Sequence, residues 1–175
     1  MLDLNANQVH LVFFVLMLPI AIWVMLSDLR SMRIPNLAVL ATVVVFAVAG
    51  FIVLPTEVWL WRWVNLVVVL AIGVVLHVVA RVGEGDVKFA AAAAPFFAQG
   101  HVSIVIFLLA ACLLAAFVAH RLVRRVSAIR SLAPDWASWT RKEFPMGVAL
   151  AATLMAYLAS LAFPSLTLAL MSMRM

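Results

Sequence analysis

Charged residues are scarce in this chain, and acidic residues are the scarcest of them. Only 11% of its 175 residues are charged and seven are acidic, whereas 68% are hydrophobic. A soluble globule of this size needs far more polar side chains to cover its surface. The composition therefore excludes a soluble protein and predicts an integral membrane protein.

Cysteine is almost absent. The single cysteine, Cys112, lies inside an apolar run, which excludes an internal disulfide and a zinc site built from cysteines. The four histidines lie on different segments and at different depths, without the spacing of metal ligands. The sequence therefore predicts no metal site and no cofactor.

The apolar runs lack the in-out alternation of barrel strands, and their lengths suit helices that cross a bilayer core of about 30 Å. We predict an all-α polytopic membrane protein forming a single domain over residues 1–175. The first run is expected to be a retained helix, because residues 1–8 lack the positive region of a signal peptide. The six apolar segments are Val9–Leu26, Leu37–Leu54, Val58–Ala80, Val87–Ala98, Val102–His120 and Met146–Leu166.

The fourth segment is short, because its helix would measure only about 18 Å. It either crosses as a short helix or folds back as a re-entrant hairpin. With six crossings, ten of the twelve Lys and Arg residues share one side, and Arg62 and Arg174 lie on the other. The positive-inside rule then favours six crossings, with both termini outside and the ten basic residues in the cytoplasm.

The formal net charge of +5 does not indicate nucleic-acid binding, because the basic residues cluster beside apolar segments. They predict contacts with anionic lipid. Between the fifth and sixth segments, residues 121–142 begin with apolar residues at helical spacing against four arginines, which predicts an amphipathic helix on the inner leaflet. Trp59, Trp61 and Trp63 beside Arg62 predict an aromatic belt at the outer headgroups.

Two carboxylates lie at the ends of apolar segments, on the same side of the predicted membrane. Asp28 follows the first segment and Asp86 precedes the fourth, so the predicted topology puts both at the cytoplasmic boundary. Two nearby carboxylates share a proton: the ionised one accepts a proton from an attacking water, and the protonated one hydrogen-bonds the developing oxyanion. The alternatives are structural. Asp86 can cap the following helix, and Asp28 can form an ion pair with Arg30 or Arg33.

Three motifs, taken in order, carry a family resemblance. They are Ser27-Asp28-Leu-Arg30 with Ile34-Pro35-Asn36, then Gly83-Glu84-Gly85-Asp86-Val87-Lys88, and finally Phe144-Pro145-Met-Gly147. This arrangement resembles the type IV prepilin peptidases, intramembrane aspartyl proteases with a Gly-x-Gly-Asp motif. The size of the chain is similar to that of the short peptidases of Tad/Flp pilus systems. The resemblance implies that Asp28 and Asp86 are catalytic.

Other motif residues are candidates for substrate binding or support: Gly83, Glu84, Gly85, Lys88, Asn36, Pro145 and Gly147. The two glycines before Asp86 are expected to permit a sharp turn and a close approach by substrate. Glu84 has the alternative of an ion pair with Arg81 or Lys88. Lys88 either supports a carboxylate or substrate, or snorkels to the interface. Asn36 is expected to cap the second helix rather than to hydrogen-bond near Asp28.

The resemblance implies cleavage of prepilin or pseudopilin precursors after a leader glycine, at the cytoplasmic boundary of the bacterial inner membrane. Methyltransferase activity is not expected, because the chain enters the membrane by about residue 9 and has no N-terminal cysteine pairs. Two other functions stay open. One is a small ion or proton transporter, which would hold its carboxylates at mid-bilayer depth, and the other is an inactive pilus-assembly scaffold. The sequence leaves the oligomeric state undetermined.

Overall fold

The computed structural model, which describes residues 4–141 and 143–165, consists of helices joined by short connections. The α-helices in this part of the chain are α1 (Ala6–Ser31), α2 (Asn36–Val53), α3 (Thr56–Ala80), α4 (Glu84–Ala93), α5 (Val102–Val123), α6 (Ser127–Leu132) and α7 (Met146–Ala162). Short 3₁₀ turns occupy Ala94–Phe96, Gln99–His101 and Ala137–Trp139. The predicted all-α polytopic fold is confirmed, since α1, α2, α3 and the helix ending at Val123 are long and apolar enough to cross a membrane.

The first helix is longer than the predicted apolar segment at both ends. It begins after a capping box, in which Asn5 and Gln8 bond each other's backbone amides. At its other end it continues past Asp28 and stops at Met32, which has the left-handed φ of 54°. Asp28 therefore lies inside the helix, in its last turns, and the helix fixes the direction of its side chain.

The helices α1 and α5 both run antiparallel to α7. Asp28 near the end of α1 meets Gly147 at the start of α7, and Phe14 near the start of α1 meets Phe163 after α7. In the same way His120 lies beside Phe144, and His101 beside Tyr157. The bundle thus has two distinct ends, one holding Asp28 and the other holding Tyr157.

The fourth segment runs alongside α3, from about Gly73 to Trp61, and does not fold back. Near one end Gly73 of α3 touches Val87, and near the other Trp61 accepts a hydrogen bond from Gln99. Its α-helix has only 10 residues, because Pro95 cannot continue the hydrogen-bond ladder and the chain tightens into a 3₁₀ turn. This path excludes a re-entrant hairpin; that the segment crosses the bilayer stays a prediction.

The break at Pro95 frees backbone groups that need partners in an apolar surrounding. Side chains supply them: Arg62 Nη1 donates to the Phe96 carbonyl over 3.3 Å, and Asn65 Nδ2 donates to the carbonyls of Ala94 and Phe97 over 3.4 and 3.0 Å. The Tyr157 hydroxyl accepts from the Ala98 amide over 3.0 Å. We call Arg62, Asn65 and Tyr157, with the backbone of residues 94–98, the clasp. It secures the end of the fourth segment that lies far from Asp28.

Two sequence-based interpretations change at the clasp end. Trp61 is 64% exposed, as a belt residue would be, but Trp59 and Trp63 pack onto the buried Phe46. The histidines do not all lie apart, because His10 and His101 both lie against the ring of Tyr157. The expectation of separate depths is therefore wrong for this pair, since the starts of α1 and α5 both lie beside the Tyr157 end of the antiparallel α7.

The prediction of one amphipathic helix over residues 121–142 is also wrong, because this part of the chain is divided between two helices and a turn. The fifth helix runs on to Val123, the chain turns at Arg124, and α6 covers only six residues. The connection folds back because Trp139 stacks on His120 with ring centroids 5.6 Å apart, and Arg124 donates to the Arg141 carbonyl. Lys142 and Leu166, the ends predicted for this segment and for the sixth, lie outside the described residues.

The core has two parts of different composition. Toward the clasp it is aromatic, with Phe13, Phe46, Phe96 and Tyr157 buried to 1% exposure or less. Toward Asp28 it consists mostly of small and branched residues: Ala21, Val24, Ile34, Ala38, Phe89 and Ala151. Small side chains let helices approach closely where lipid supplies little hydrophobic driving force. This second cluster forms the floor beneath the candidate site.

Candidate active site

A cavity of about 360 Å³ opens at the Asp28 end of the bundle. Its walls come from the last turns of α1, the turn into α2, the turn after α3 and the first turns of α4. The lining residues are Asp28, Met32, Arg33, Ile34, Asn36, Gly83, Glu84, Gly85, Asp86 and Lys88. Two motifs far apart in sequence thus form one cavity, which we call the aspartate pocket.

Asp28 is the more deeply held of the two carboxylates. It is 5% exposed, and its Oδ2 accepts a hydrogen bond of 2.7 Å from the backbone amide of Gly147. That amide belongs to the first turn of α7, where backbone N–H groups lack partners within the helix. Pro145 precedes this turn and provides no side-chain cap. Asp28 therefore caps α7 from another helix, and the alternative of an ion pair with Arg30 or Arg33 is wrong.

Gly147 is required at this contact for steric reasons. A Cβ at this position would lie 2.9 Å from Asp28 Oδ2 and 2.9 Å from Ile34 Cδ1. A Cβ carbon is essentially never found this close to another heavy atom, so any larger residue would force the Asp28 carboxylate and the end of the Ile34 side chain to shift. Gly147 thus contacts Asp28 from behind, and neither Pro145 nor Gly147 lines the pocket.

Asp86 has a different environment. It lies in the first turn of α4, just before the apolar run that begins at Val87. Gly83 occupies the N-cap position without a side-chain cap bond, so the alternative that Asp86 caps this helix is wrong. Burial, together with the charge of Asp28, raises the pKa of Asp86 from its ordinary value of 3.8 to about 6.

Neither glycine of the second motif serves an unusual turn, and only Gly83 serves a contact too close for a side chain. Gly83 has an ordinary φ of −57°, so the expected sharp, glycine-dependent turn is not present. A Cβ on Gly83 would lie 2.4 Å from Asp86 Oδ2, and one on Gly85 would lie 3.4 Å from Ile34 Cβ. The left-handed residue of this connection is Arg81, with φ 55°. Gly83 therefore gives the Asp86 carboxylate its space.

Glu84 and Lys88 pair with each other at the rim of the pocket. Their spacing of four residues places both on one face of α4, and neither contacts an aspartate by hydrogen bond. This is the ion pair proposed for Glu84, with Lys88 as its partner. Because the Glu84 side chain is 69% exposed, the pair contributes little to stability.

Asn36 does not cap the second helix. The N-cap position belongs to Pro35, and no side-chain bond closes this helix end. Asn36 is exposed and lines the aspartate pocket. Its amide thus remains available to a ligand, because helix α2 begins one residue earlier than a cap at Asn36 requires.

Ser27 and Ile34 belong to the first motif but were assigned no role in the pocket, and His77 belongs to no motif. Ile34 is the buried member of the α1–α2 turn and fits between Gly85 and Gly147. Ser27 donates its hydroxyl to the Arg33 carbonyl, and His77 Nδ1 lies 2.7 Å from the Val82 carbonyl. Each bond braces one of the two aspartate-bearing connections. The available signal for Ile34 was its position as an apolar residue inside a polar turn.

The arrangement is asymmetric, and that asymmetry suits acid-base chemistry. Asp28 receives a backbone amide at a helix N-terminus, which offsets part of the cost of burying its negative charge. Within the described residues Asp86 accepts no hydrogen bond, and its raised pKa favours the protonated form. A pair in these two states provides one base and one acid to a ligand in the same cavity.

One comparison with known proteins matches the part of the chain that carries both aspartates. The model of the type IV leader peptidase family matches residues 12–120, which include both aspartate-bearing connections but not Pro145 or Gly147. No curated protein and no solved structure matches the chain significantly. The matched region covers more than half of the chain.

Proposed function

The chain belongs to the type IV leader peptidase family, and from that premise we propose that it is an aspartyl endopeptidase in which Asp28 and Asp86 form the catalytic pair. The observation that carries this proposal is the aspartate pocket, which joins the two carboxylates in one cavity. The family supports a peptidase acting in a membrane. The two residues and their roles are our inference.

The proposed reaction is the hydrolysis of one peptide bond. The ionised Asp28 accepts a proton from a water molecule as the water oxygen bonds to the carbonyl carbon, and Asp86 donates its proton to the developing oxyanion. When the tetrahedral intermediate collapses, the C–N bond breaks and the nitrogen takes a proton from the pair. Asp28 serves as the base because the Gly147 amide stabilises its negative charge.

The proposed substrate is a prepilin or pseudopilin precursor, and the enzyme is proposed to be a short Tad/Flp-type peptidase without methyltransferase activity. Such a precursor has an apolar helix preceded by a short basic leader, so its scissile bond lies at the membrane boundary. The aspartate pocket opens at one end of the helices rather than at their midpoint, which suits that bond. We propose that this end faces the cytoplasm across a bacterial inner membrane, as the charge bias favours.

A transporter is less well supported by the same geometry. Relayed ions need carboxylates at mid-bilayer depth, whereas Asp28 and Asp86 both lie at one end of the bundle, and the far end holds the clasp. An inactive assembly scaffold would not need the asymmetric pair. Both alternatives predict that loss of either carboxylate leaves precursor cleavage unchanged.

The test is cleavage of candidate precursors co-expressed with the peptidase in membranes. We expect Asp28→Asn and Asp86→Asn each to reduce cleavage by about a thousandfold, within the range for a lost acid or base, at nearly normal protein level. Glu84→Gln is the matched control, because it removes a carboxylate from the same pocket and should retain activity. Cleavage by either aspartate variant at a rate near that of Glu84→Gln would remove that residue from the mechanism.

A further inference from the structure

A second cavity, of about 240 Å³, lies at the clasp end of the bundle, away from the aspartate pocket. It is lined by Glu57, Val58, Trp61, Arg62, Ala98 and Gln99. Arg62 is only 8% exposed, although a buried guanidinium normally requires an opposite charge nearby. Among the described residues its only hydrogen bond is to the Phe96 carbonyl, and the only ion pair joins Lys88 to Glu84. Its remaining donors lack an anionic partner.

Glu57 lines the same cavity but does not neutralise Arg62. The two residues are five positions apart on α3, which separates them by about 140° around the helix and about 7.5 Å along it. Arg62 therefore points inward, whereas Glu57 is exposed and stands nearer the start of the helix. The cavity thus has a positive inner wall and a negative outer rim.

We propose that this cavity binds the headgroup of a phospholipid that carries both a phosphate and a primary ammonium, as phosphoethanolamine does. The planar guanidinium of Arg62 offers paired donors to phosphate oxygens. The ammonium, which lies on the water side of the phosphate in a bilayer, then faces Glu57. Val58 and the exposed Trp61 flank the cavity with apolar surface for the lipid's glycerol and chains. A free phosphate would satisfy Arg62 but leave Glu57 without a partner.

The headgroup requirement separates this ligand from others. A phosphatidylglycerol has the phosphate but lacks the ammonium. A phosphatidylcholine has a positive charge but no N–H to donate, so it loses the hydrogen bond to Glu57. The proposal is independent of the peptidase activity, because the cavity and the aspartate pocket lie at opposite ends of the helices.

The experiment is native mass spectrometry of the full chain in detergent, with lipids that share the same acyl chains and differ in headgroup. We expect the ethanolamine lipid to bind about fivefold or more tightly than the choline lipid. Glu57→Gln should abolish the preference for ethanolamine over glycerol headgroups. Arg62→Gln should weaken the binding of both the ethanolamine and the glycerol lipid by about tenfold. Arg62→Lys should weaken it less, because lysine keeps the positive charge but lacks the paired donors of the guanidinium. Arg30→Gln, which changes an exposed arginine at the other end, should keep the preference for ethanolamine over choline headgroups.

Equal binding of the ethanolamine and choline lipids, or an unchanged preference in Glu57→Gln, would overturn the proposal. Displacement of the lipid by inorganic phosphate as effectively as by phosphoethanolamine would identify the ligand as free phosphate instead. Glu57 is exposed and forms no hydrogen bond, so its variant should fold. The selectivity test therefore stands even if Arg62→Gln fails to fold.

Discussion

The two ends of this bundle treat polar groups in opposite ways. In the clasp, Arg62, Asn65 and Tyr157 all bond to the backbone around Pro95. In the aspartate pocket, polar side chains surround an open cavity, and Asp86 has no hydrogen-bonding partner among the residues that the structure describes. In apolar surroundings unsatisfied polar groups are costly. The open carboxylates of the aspartate pocket are therefore better candidates for catalysis than the backbone groups that the clasp already bonds.

This difference predicts that changes at the two ends have separable effects. A change in the aspartate pocket should reduce activity more than stability. A change in the clasp should reduce stability more than activity. The following variants test that separation, beginning with the largest expected effect.

Gly147→Ala tests the contact that positions Asp28. Its new Cβ would lie 2.9 Å from Asp28 Oδ2, so the carboxylate must move, and a displacement of about 1 Å can cost about a hundredfold in rate. We expect that loss in precursor cleavage, with a cost of about 1 to 3 kcal/mol in the free energy of unfolding from overpacking. Cleavage and thermal unfolding in detergent measure the two effects.

The matched control is Gly100→Ala, because a Cβ there meets no atom within 4 Å. It should leave both measurements nearly unchanged. If Gly147→Ala cleaves precursor as fast as Gly100→Ala, Asp28 does not depend on the start of α7.

The pH dependence of cleavage tests the state of Asp86. With its pKa raised to about 6, Asp86 is protonated below that pH and ionised above it. We expect kcat/KM, which reports the free enzyme, to fall about tenfold per pH unit above about pH 6. A rate that stays constant from pH 6 to pH 8 would exclude Asp86 as the acid in the free enzyme.

The same pKa has a consequence for stability. Because the folded value lies above the unfolded one, the group's stabilising contribution is present below about pH 3.8 and is lost as the pH rises through about 6. Asp86→Asn should remove this part of the pH dependence of the unfolding midpoint. An identical dependence in the variant would mean that another group titrates there.

Asn65→Ala tests the clasp and should have the smallest effect on activity. It removes the hydrogen bonds to the carbonyls of Ala94 and Phe97, which should lower the free energy of unfolding by about 1 to 3 kcal/mol. Cleavage should stay within about twofold, because α4 remains packed on α3. Asn7→Ala, at an exposed position of α1, is the control and should change stability by less than about 0.5 kcal/mol. If Asn65→Ala loses more activity than stability, the clasp and the aspartate pocket are coupled and their effects are not separable.

Much of the fold was predictable because membrane helices follow from apolar length. The predicted segments coincide with helices or, for the fourth, with a helix followed by a 3₁₀ turn. Where prediction failed, a tertiary contact replaced a local preference. Asp28 of α1 caps α7 instead of pairing with a nearby arginine, and the connection after α5 bends so that Trp139 can stack on His120. Neither contact leaves a periodic pattern in the sequence.

The sequence predicted the two carboxylates of the candidate site, but not the contacts that give each of them a different environment. Asp28 and Asp86 stand out because carboxylates are rare in this chain and each adjoins an apolar segment. The sequence by itself thus determined a polytopic helical protein with two carboxylates at one level, since hydropathy and charge act locally along the chain. The tertiary structure alone decided that Gly147 reaches Asp28, that Gly83 makes room for Asp86, and that Arg62 is buried. Those outcomes depend on distances between residues far apart in sequence, and periodicity carries no information about them.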